Sequence, residues 1–348
     1  MSATVLSARG IVKRFPVRRN LFARTRDFVH AVDDVSLDVA AGDTLGIVGE
    51  SGCGKSTLGR ALLWLDVPEQ GDVAIAGTQL RALHRGDLRT MRKQMQIVFQ
   101  DPFESLNSRH TIAGILSEPF AIHGLGDSAE RDRWVRELLD RVGLPASARE
   151  RFPHEFSGGQ RQRIGIARAI ALRPRLLVCD EAVSALDVSV QAQIVNLLLE
   201  LQRDMGLAIV FIAHDLTVVK HVSDRVAVMY LGQIVETASS TRIYSAPRHP
   251  YTRALISAIP AHGHGDSRGQ RNGDPIGNPT SAAERQLSPS RSTRIRLNDD
   301  VPSPINLPAG CRFHTRCMHA TDQCRTAAPQ LEAFSDGSSV RCHRWNEI

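Results

Sequence analysis

The residues from Gly49 to Thr57 follow the pattern G-x-x-x-x-G-K-[ST], which binds phosphate groups. An apolar run, Thr44 to Val48, precedes the loop and predicts a buried strand, and Leu58 to Trp64 predicts the start of a helix. Glycines let backbone N–H groups turn toward phosphate oxygens, and the helix N-terminus adds partial positive charge. We expect Lys55 to reach the β- and γ-phosphates and Ser56 to bind Mg²⁺. The candidate nucleotide contacts are Gly49, Ser51, Gly52, Gly54, Lys55, Ser56 and Thr57.

Two carboxylates follow a second apolar run. Asp180 and Glu181 come directly after Leu176 to Cys179, which predicts a buried strand. Asp180 is placed to support Mg²⁺ from the second coordination shell, and Glu181 is placed to polarise a water for attack on the γ-phosphate. Adjacent acids after a strand can also be no more than a solvated helix start. Together with the phosphate loop, the pair favours nucleotide hydrolysis.

A second candidate anion site lies at Ser157-Gly158-Gly159-Gln160, before a helical pattern. Ser157 is a natural N-cap, and the glycines allow close approach of another molecule. One nucleotide does not need two such helix N-termini, so two copies of the site could face each other, with each completing the other's nucleotide. A plain N-cap followed by flexible glycines is the alternative.

The composition limits the possible classes of protein. The chain has 348 residues, 42% of them hydrophobic, and a formal net charge of +6. Only four residues are lysine, and the arginines that carry the remaining basic charge are scattered, which argues against a nucleic-acid surface. The N-terminus lacks a signal-peptide pattern, and the longest apolar run, Leu207 to Ala213, is too short to span a bilayer. We therefore expect a cytosolic protein, unless partners hold it at a membrane.

Strand and helix patterns divide the chain. Val5 to Phe15 predicts an edge strand, interrupted afterwards by the basic segment Arg18 to Arg26, and Gln96 to Phe99 predicts a buried strand. Between Ile112 and Ala171 the strand patterns vanish and helical periodicity replaces them. Further strands are predicted at Val32–Val39, Asp72–Gly77, Ala208–Ile212, Val226–Tyr230 and Leu231–Val235. Continuous apolar strands that alternate with helices predict an α/β fold with a parallel sheet.

The composition changes after Pro260. Residues 260–300 predict a flexible linker, in which His262 and His264 are either a metal-binding or, more simply, a solvated pair. The last segment, 301–348, contains Cys311, Cys317, Cys324 and Cys342. In a reducing compartment four clustered thiols suit zinc or an iron–sulfur cluster better than disulfides, and free thiols are the third possibility. Cys53 and Cys179 lie in core motifs and are expected to be small apolar fillers.

From Val5 to Ile259 the chain resembles the ATP-binding subunits of ABC transporters. The ordered motifs that carry the resemblance are the phosphate loop, Gln100 after its strand, Ser157-Gly158-Gly159-Gln160, Asp180-Glu181, Ser184-Ala185-Leu186-Asp187 and His214. The resemblance implies a P-loop NTPase cassette with a RecA-like core sheet, an antiparallel β part and a helical subdomain at about 101–174, followed by a small cysteine-bearing extension.

The resemblance also implies roles for individual residues. Gln100 would sense Mg²⁺ and the attacking water, and His214 would contact the γ-phosphate. Ser157, Gly159 and Gln160 would belong to the motif that contacts the nucleotide of the opposite subunit, and Asp187 would link the two sites. Phe15 would be the aromatic ring that stacks on adenine, with a simple core position as the alternative.

Two departures from the family pattern leave the catalytic groups intact. Phe156 stands where the family usually has leucine before the Ser-Gly-Gly-Gln motif, and Ala182 replaces the proline often found after the catalytic glutamate. Phe156 is apolar, so we expect it to pack as leucine would.

Further stretches are similar to the oligopeptide/dipeptide importer branch of the family. They are Gln100 to Asn107, His249-Pro250-Tyr251-Thr252, Pro302 to Asn306 and the basic insert Phe15 to Asp27, which is similar to the second (F-type) ATPase of a heterodimeric pair. His249-Pro250-Tyr251 could alternatively be only a helix start with proline in its first turn.

Membership of this branch implies several partners. They are two transmembrane permeases, a second ATP-binding subunit and, indirectly, an extracytoplasmic peptide-binding protein. The permeases would dock on the stretch between Gln100 and Ser157. The chain would then lie at the cytoplasmic face of a bacterial inner membrane, use ATP and Mg²⁺, and carry a [4Fe–4S] cluster on its cysteine tail. The rival function is that of a soluble ABC ATPase acting on nucleic acid in repair or translation.

Overall fold

The computed structural model describes residues 3–17, 27–101, 105–259, 295, 297 and 300–348. Most of the predicted linker, with His262 and His264, lies outside the described residues, and so does the central part of the basic insert. The same holds for Pro102, Phe103 and Glu104. Secondary structure, contacts and burial below refer to the described residues.

The strands form two sheets. They are β1 (Thr4–Pro16), β2 (Phe28–Ala40), β3 (Thr44–Val48), β4 (Gln70–Ile75), β5 (Thr78–Gln79), β6 (Met95–Val98), β7 (Leu176–Asp180), β8 (Ala208–Ile212), β9 (Arg225–Tyr230), β10 (Gln233–Ser239), β11 (Glu332–Ala333) and β12 (Ser339–Val340). The larger sheet has the order β11-β12-β10-β9-β3-β8-β7-β6. Its strands β9, β3, β8, β7 and β6 are parallel, which confirms the predicted parallel core.

The positions of three strands in the parallel sheet explain their composition. β3, β7 and β8 lie in its interior and are buried along their whole length, because helices or the second sheet cover both faces. β6 ends the sheet on one side and is only half-buried, so the prediction of a buried strand at Gln96–Phe99 was wrong in burial though right in position.

The smaller sheet has the order β2-β1-β4-β5 and is antiparallel. The prediction that Val5 to Phe15 forms an edge strand was wrong. β1 lies between β2 and β4, and the two neighbours use its hydrogen-bonding groups on both sides. Residue alternation along one strand indicates which face is buried, but it carries no information about how many neighbours the strand has.

The helices connect these strands and cover them. They are α1 (Lys55–Leu62), α2 (Arg85–Met91), α3 (Ile112–Ile122), α4 (Ser128–Arg141), α5 (Gly158–Ile170), α6 (Val188–Met205), α7 (Leu216–Val222), α8 (Ser240–Ser245), α9 (Pro250–Ser257) and α10 (Asp322–Thr326). Short 3₁₀ turns occur at Leu80–Ala82, Arg92–Gln94, Ala146–Glu150 and Pro153–Glu155. The predicted helical region is confirmed, since α3, α4 and α5 fill it without a strand. None of the described helices combines the length and the apolar character needed to cross a bilayer.

The C-terminal extension packs on the larger sheet. β12 pairs antiparallel with β10, where Val340 lies opposite Glu236, and β11 pairs with β12. Phe313 is 2% exposed and packs against Tyr230 of β9 and Tyr251 of α9. The extension therefore shares the core of the preceding domain and does not build an apolar core of its own.

Candidate nucleotide-binding site

The phosphate loop connects β3 to α1, as the sequence predicts. Gly54 is the N-cap residue of α1 and has a φ of 107°, a conformation that favours glycine. A Cβ atom at Gly54 would lie 1.9 Å from the carbonyl oxygen of Ala31, so no other residue fits without a shift of the backbone. The side chain of Lys55 is buried, and its Nζ donates to the carbonyl oxygens of Gly49 (2.9 Å) and Glu50 (3.1 Å). The loop thus holds its own lysine in place through backbone oxygens.

Ser56 and Asp180, the residues predicted to support Mg²⁺, contact each other. The Ser56 hydroxyl donates to Oδ1 of Asp180 at 2.8 Å, which joins the start of α1 to the end of β7. Burial raises the pKa of Asp180, and the hydrogen bond from Ser56 opposes that shift. A hydroxyl and a carboxylate at this spacing are oxygen ligands of the kind that Mg²⁺ prefers. The residues present fit the ion that the sequence predicts.

Glu181 lies at the centre of the predicted catalytic groups. Its Oε2 accepts a hydrogen bond from Nε2 of Gln100 at 2.9 Å and lies 3.8 Å from Nδ1 of His214. The backbone of Glu181 has a φ of 47°, which is rare for a residue with a side chain. The carbonyl of Ile212 fixes its N–H, and the hydroxyl of Ser184 fixes its carbonyl oxygen. Non-glycine residues held in this conformation are concentrated at functional sites.

The second predicted anion site is a capped helix. Ser157 caps α5: its hydroxyl accepts from the N–H of Gln160 at 3.3 Å, and the Gln160 side chain accepts from the N–H of Ser157 at 3.0 Å. This reciprocal capping box leaves the first turn of the helix well defined. Within the described residues, no hydrogen bond joins Ser157 or Gln160 to the phosphate loop. Ser157 and Gln160 are both exposed to solvent.

Asp187 lies next to this helix. Asp187 caps α6 by accepting from the N–H of Val190 at 3.0 Å and from the Ser189 hydroxyl at 2.7 Å. The Ser189 bond is the main reason that the pKa of Asp187 is lowered. Val190 also packs against Gly159, where a Cβ atom would lie 2.5 Å from its Cγ1. The structure therefore brings the Ser-Gly-Gly-Gln helix and the Asp187 turn together.

The structure also shows the positions of Phe15, of the His249-Pro250 motif and of three buried residues in the core motifs. Phe15 lies near the end of β1 and is 38% exposed, and Lys13 stacks on its ring, so it is not a core residue. His249 and Pro250 start α9, as the simpler interpretation of that motif predicts. Phe156 is buried, as expected for an apolar residue in the place of leucine. Cys53 and Cys179 are buried as well, which confirms them as apolar fillers.

The four cysteines of the extension line one small cavity together with His249, His314 and other residues. Burial raises the pKa of both Cys311 and Cys342 to about 11, and the neighbouring cysteines contribute to the shift. No group of three or more histidine, cysteine, aspartate or glutamate side chains within the described ranges is arranged to hold a metal ion. The four cysteines therefore line the same cavity, but their side chains are not arranged as a metal site in the described part of the chain.

Sequence reasoning missed the residues from distant parts of the chain that contact Glu50 in the phosphate loop. The Tyr251 hydroxyl accepts from the N–H of Glu50 at 2.9 Å, and Arg316 forms two hydrogen bonds with the Glu50 carboxylate, at 2.7 and 3.1 Å. Glu50 and Arg316 are separated by 266 positions. No periodicity or local motif in the sequence indicates such a contact.

Comparison with known proteins agrees with this geometry. The ABC transporter family matches residues 32–184, and the family described as oligopeptide/dipeptide transporter, C-terminal region, matches residues 235–284 and 281–324. The oligopeptide transport ATP-binding protein AppF of Bacillus subtilis is 46% identical over 99% of this chain and 98% of its own length. The putative oligopeptide transport ATP-binding protein YkfD of the same organism is 48% identical over 90% of this chain and 89% of its own.

Solved structures show the same fold. A dimer of the ATP-binding cassette MJ0796 in a post-hydrolysis state with ADP and Pi has a TM-score of 0.60 and 26% identity, covering 68% of this chain and 98% of that one. CbiO1 of Clostridium perfringens, part of the ABC transporter complex cbiONQ, has a TM-score of 0.61 and 25% identity, covering 70% and 92%. The chain belongs to the ABC transporter ATP-binding proteins of the oligopeptide/dipeptide type, and it is an ABC-type ATPase.

Proposed function

We propose that this chain is the ATP-hydrolysing subunit of an ABC importer that takes up dipeptides or oligopeptides through partner permeases. The observation that carries the proposal is the contact of Gln100 with Glu181 beside an intact phosphate loop, in a chain with near full-length peptide-transport relatives. In this proposal residues 1–259 form the ATP-binding domain, 260–300 the linker and 301–348 the cysteine-bearing extension. The helical subdomain extends over about 101–174.

The chemistry follows from the positions of the side chains. Lys55, which donates to the carbonyl oxygens of Gly49 and Glu50 in the structure, would pair with the β- and γ-phosphates when nucleotide binds. Ser56 and Asp180, with Gln100, would hold Mg²⁺, which neutralises phosphate charge. Glu181 accepts a proton from the attacking water, and Gln100 orients that carboxylate through its hydrogen bond. His214, whose side chain is 58% exposed and lies 3.8 Å from the same carboxylate, would contact the γ-phosphate.

A second ATP-binding subunit completes the site. Ser157 and Gly159 lie at the N-terminus of α5, which has no hydrogen bond to the phosphate loop among the described residues, and a helix N-terminus favours an anion. In the proposed dimer they contact the γ-phosphate bound by the opposite subunit, and Asp187 connects the two sites. The relevant partner is a homologous second chain, which makes the ATPase pair a heterodimer.

A cleft beside Gln100 is the proposed docking site of the permeases. It has a volume of about 870 Å³ and extends from Ser56 and Asp180 to Ile122 on the helical part. Phe99 and Ile122 expose 39% and 51% of their surfaces there. A permease segment in this cleft would touch the residue next to Gln100 and so sense the nucleotide state. The chain would then sit at the cytoplasmic face of the membrane as a peripheral subunit, with an extracytoplasmic binding protein that delivers peptide.

We also propose that Cys311, Cys317, Cys324 and Cys342 carry a [4Fe–4S] cluster, with zinc and free thiols as the alternatives. Their common cavity and the four-thiol donor set support the proposal. The lack of a metal-binding arrangement among the described residues counts against it. Anaerobic purification of the full chain, with iron, sulfide and zinc analysis, separates the three states. A protein with none of these elements would contradict the cluster.

Affinity purification of this chain from solubilised membranes, with mass spectrometry of the bound proteins, tests the importer function. We expect two polytopic permeases and a second ATP-binding subunit. Nothing in the comparisons favours the nucleic-acid function, whose relatives would be repair or translation proteins. Recovery with ribosomal or nucleic-acid partners only would overturn the importer function and leave the ATPase chemistry unchanged.

A further inference from the structure

The segment between the first two cysteines of the extension lies directly against the phosphate loop. Arg316 contacts Glu50, the second residue of the loop, and Arg312 contacts Asp33 and the carbonyl oxygen of Leu231. Both arginines lie between Cys311 and Cys317 in the sequence. Phe313 anchors the segment in the core beneath.

Glu50 is held at three points. Its N–H donates to the hydroxyl of Tyr251, its carbonyl oxygen accepts from Lys55, and its carboxylate accepts two hydrogen bonds from Arg316. The side chain of Arg316 is only 7% exposed and that of Glu50 is 25% exposed. A bidentate pair with this much burial is stronger and better oriented than an ion pair in open solvent. Because Lys55 donates to the carbonyl oxygen of Glu50, the position of Glu50 helps to fix the position of the Lys55 side chain.

The ion pair of Arg316 with Glu50 also lowers the negative charge of the phosphate loop. A nucleotide brings several negative charges to the loop, and an unpaired carboxylate at Glu50 would repel them. The guanidinium of Arg316 pairs with that carboxylate and neutralises its charge. Arg312 also supports the loop indirectly, through the turn at Leu231 and Gly232. Arg312 donates to the carbonyl oxygen of Leu231, and the N–H of Gly232 donates to the carbonyl oxygen of Cys53 in the loop.

We propose that Arg316 is a positioning residue for nucleotide binding, which holds the phosphate loop through Glu50 and makes the Cys311–Cys317 segment a part of the nucleotide site. The inference rests on the proposed ATPase function, and it is independent of the cargo. It assigns the extension a role in ATP affinity that the catalytic motifs do not include.

The test measures the Kd for MgATP by calorimetry on the full chain, with Glu181→Gln as the common background so that ATP is not consumed. We expect Arg316→Met to raise the Kd about tenfold, the effect of losing one charge-assisted hydrogen-bonded pair. Glu50→Gln keeps a side-chain oxygen that can accept from Arg316, so it should raise the Kd by less than Arg316→Met does. The double variant Arg316→Met with Glu50→Gln should bind MgATP no more weakly than Arg316→Met alone, because both substitutions act through the same contact and their losses do not add.

Arg325→Met is the matched control. Arg325 lies in the same extension, but its side chain is 61% exposed and its ion pair with Asp322 is long, at 3.9 Å. If Arg316→Met does not fold, Arg316→Gln takes its place with the same expected rise. Unchanged affinity in the Arg316 variant, or a weaker affinity in the double variant than in Arg316→Met alone, would overturn the inference while ATP binding by the unmodified chain persists. Absence of MgATP binding by the unmodified chain would instead overturn the ATPase function, and the inference with it.

Discussion

The amide of Gln100 donates a hydrogen bond to the carboxylate of Glu181 at 2.9 Å, although 81 positions separate the two residues. Gln100 follows the edge strand β6, and Glu181 follows β7, its parallel neighbour. Because parallel strands end at the same edge of a sheet, the two side chains meet at the position where a γ-phosphate is expected. We therefore expect a shift of the segment after Gln100 to displace the carboxylate of Glu181, the predicted catalytic base.

Replacing Glu181 by glutamine should lower ATP hydrolysis by at least about 100-fold, because the amide cannot accept the proton of the attacking water. Phosphate release measures the loss, and calorimetry should show that MgATP still binds. Glu200→Gln, at an exposed position of α6, is the control and should hydrolyse ATP at the normal rate. Hydrolysis near the normal rate in Glu181→Gln would show that another group is the base.

Ser157→Ala should lose both stability and activity, and a second helix cap separates the two effects. Thr111 caps α3 by accepting from the N–H of Gly114 at 3.3 Å, as Ser157 caps α5. Each alanine variant should lower the free energy of unfolding by about 1 kcal/mol. Only Ser157→Ala should reduce ATPase activity in the assembled pair of subunits, since Thr111 has no predicted contact with nucleotide. Equal losses of activity would reduce Ser157 to a structural cap.

Phe15→Ala should raise the KM for ATP about tenfold if its ring stacks on adenine, given the energy of base–aromatic stacking. The neighbouring strand supplies the control. Phe28 lies on β2, is paired with Pro16 of β1 and is also 38% exposed. Phe28→Ala should leave the KM unchanged. The reverse result would assign the stacking ring to Phe28.

Acid should destabilise the fold through His249. Burial lowers the pKa of His249 to about 3, whereas the unfolded chain has an ordinary histidine pKa near 6.5. Below about pH 6.5 the unfolded state binds a proton that the folded state refuses, so stability falls as pH decreases toward 3. The contribution of this residue to the free energy of unfolding should be about 2 kcal/mol smaller at pH 5 than at pH 7.

Urea unfolding at the two pH values measures this difference. In His249→Asn the amide oxygen can replace Nδ1, which accepts from the N–H of Tyr251 at 3.1 Å, so the cap is kept without the titration. The difference between pH 7 and pH 5 should shrink in that variant. An unchanged difference would assign the acid sensitivity to another group.

The parts of the site that are local in sequence were predictable. A strand, a glycine-containing loop and a helix start follow one another within Thr44 to Trp64, and each leaves its own pattern. The capping role of Ser157 is likewise visible in the residues that follow it. In these cases the neighbours along the chain determine the conformation.

Contacts between distant segments were not predictable. The pairing of β1 on both sides depends on β2 and β4, whose alignment cannot be read from alternation alone. Glu50 and Arg316 are each ordinary charged residues in the sequence, and only the docking of the extension makes them partners. The hydrogen bond from the N–H of Glu50 to the hydroxyl of Tyr251 likewise joins segments that are 201 positions apart, although Tyr251 lies on α9 and not on the extension.

The pairing of β12 with β10 also has a consequence for solubility. Without residues 301–348, the backbone N–H and C=O groups of β10 would form an open sheet edge, a template for pairing with other chains. In the whole chain the sheet ends instead at β11, a strand of two residues that begins with the charge of Glu332. We therefore expect variants shortened before residue 301 to aggregate, whatever they retain of the nucleotide site.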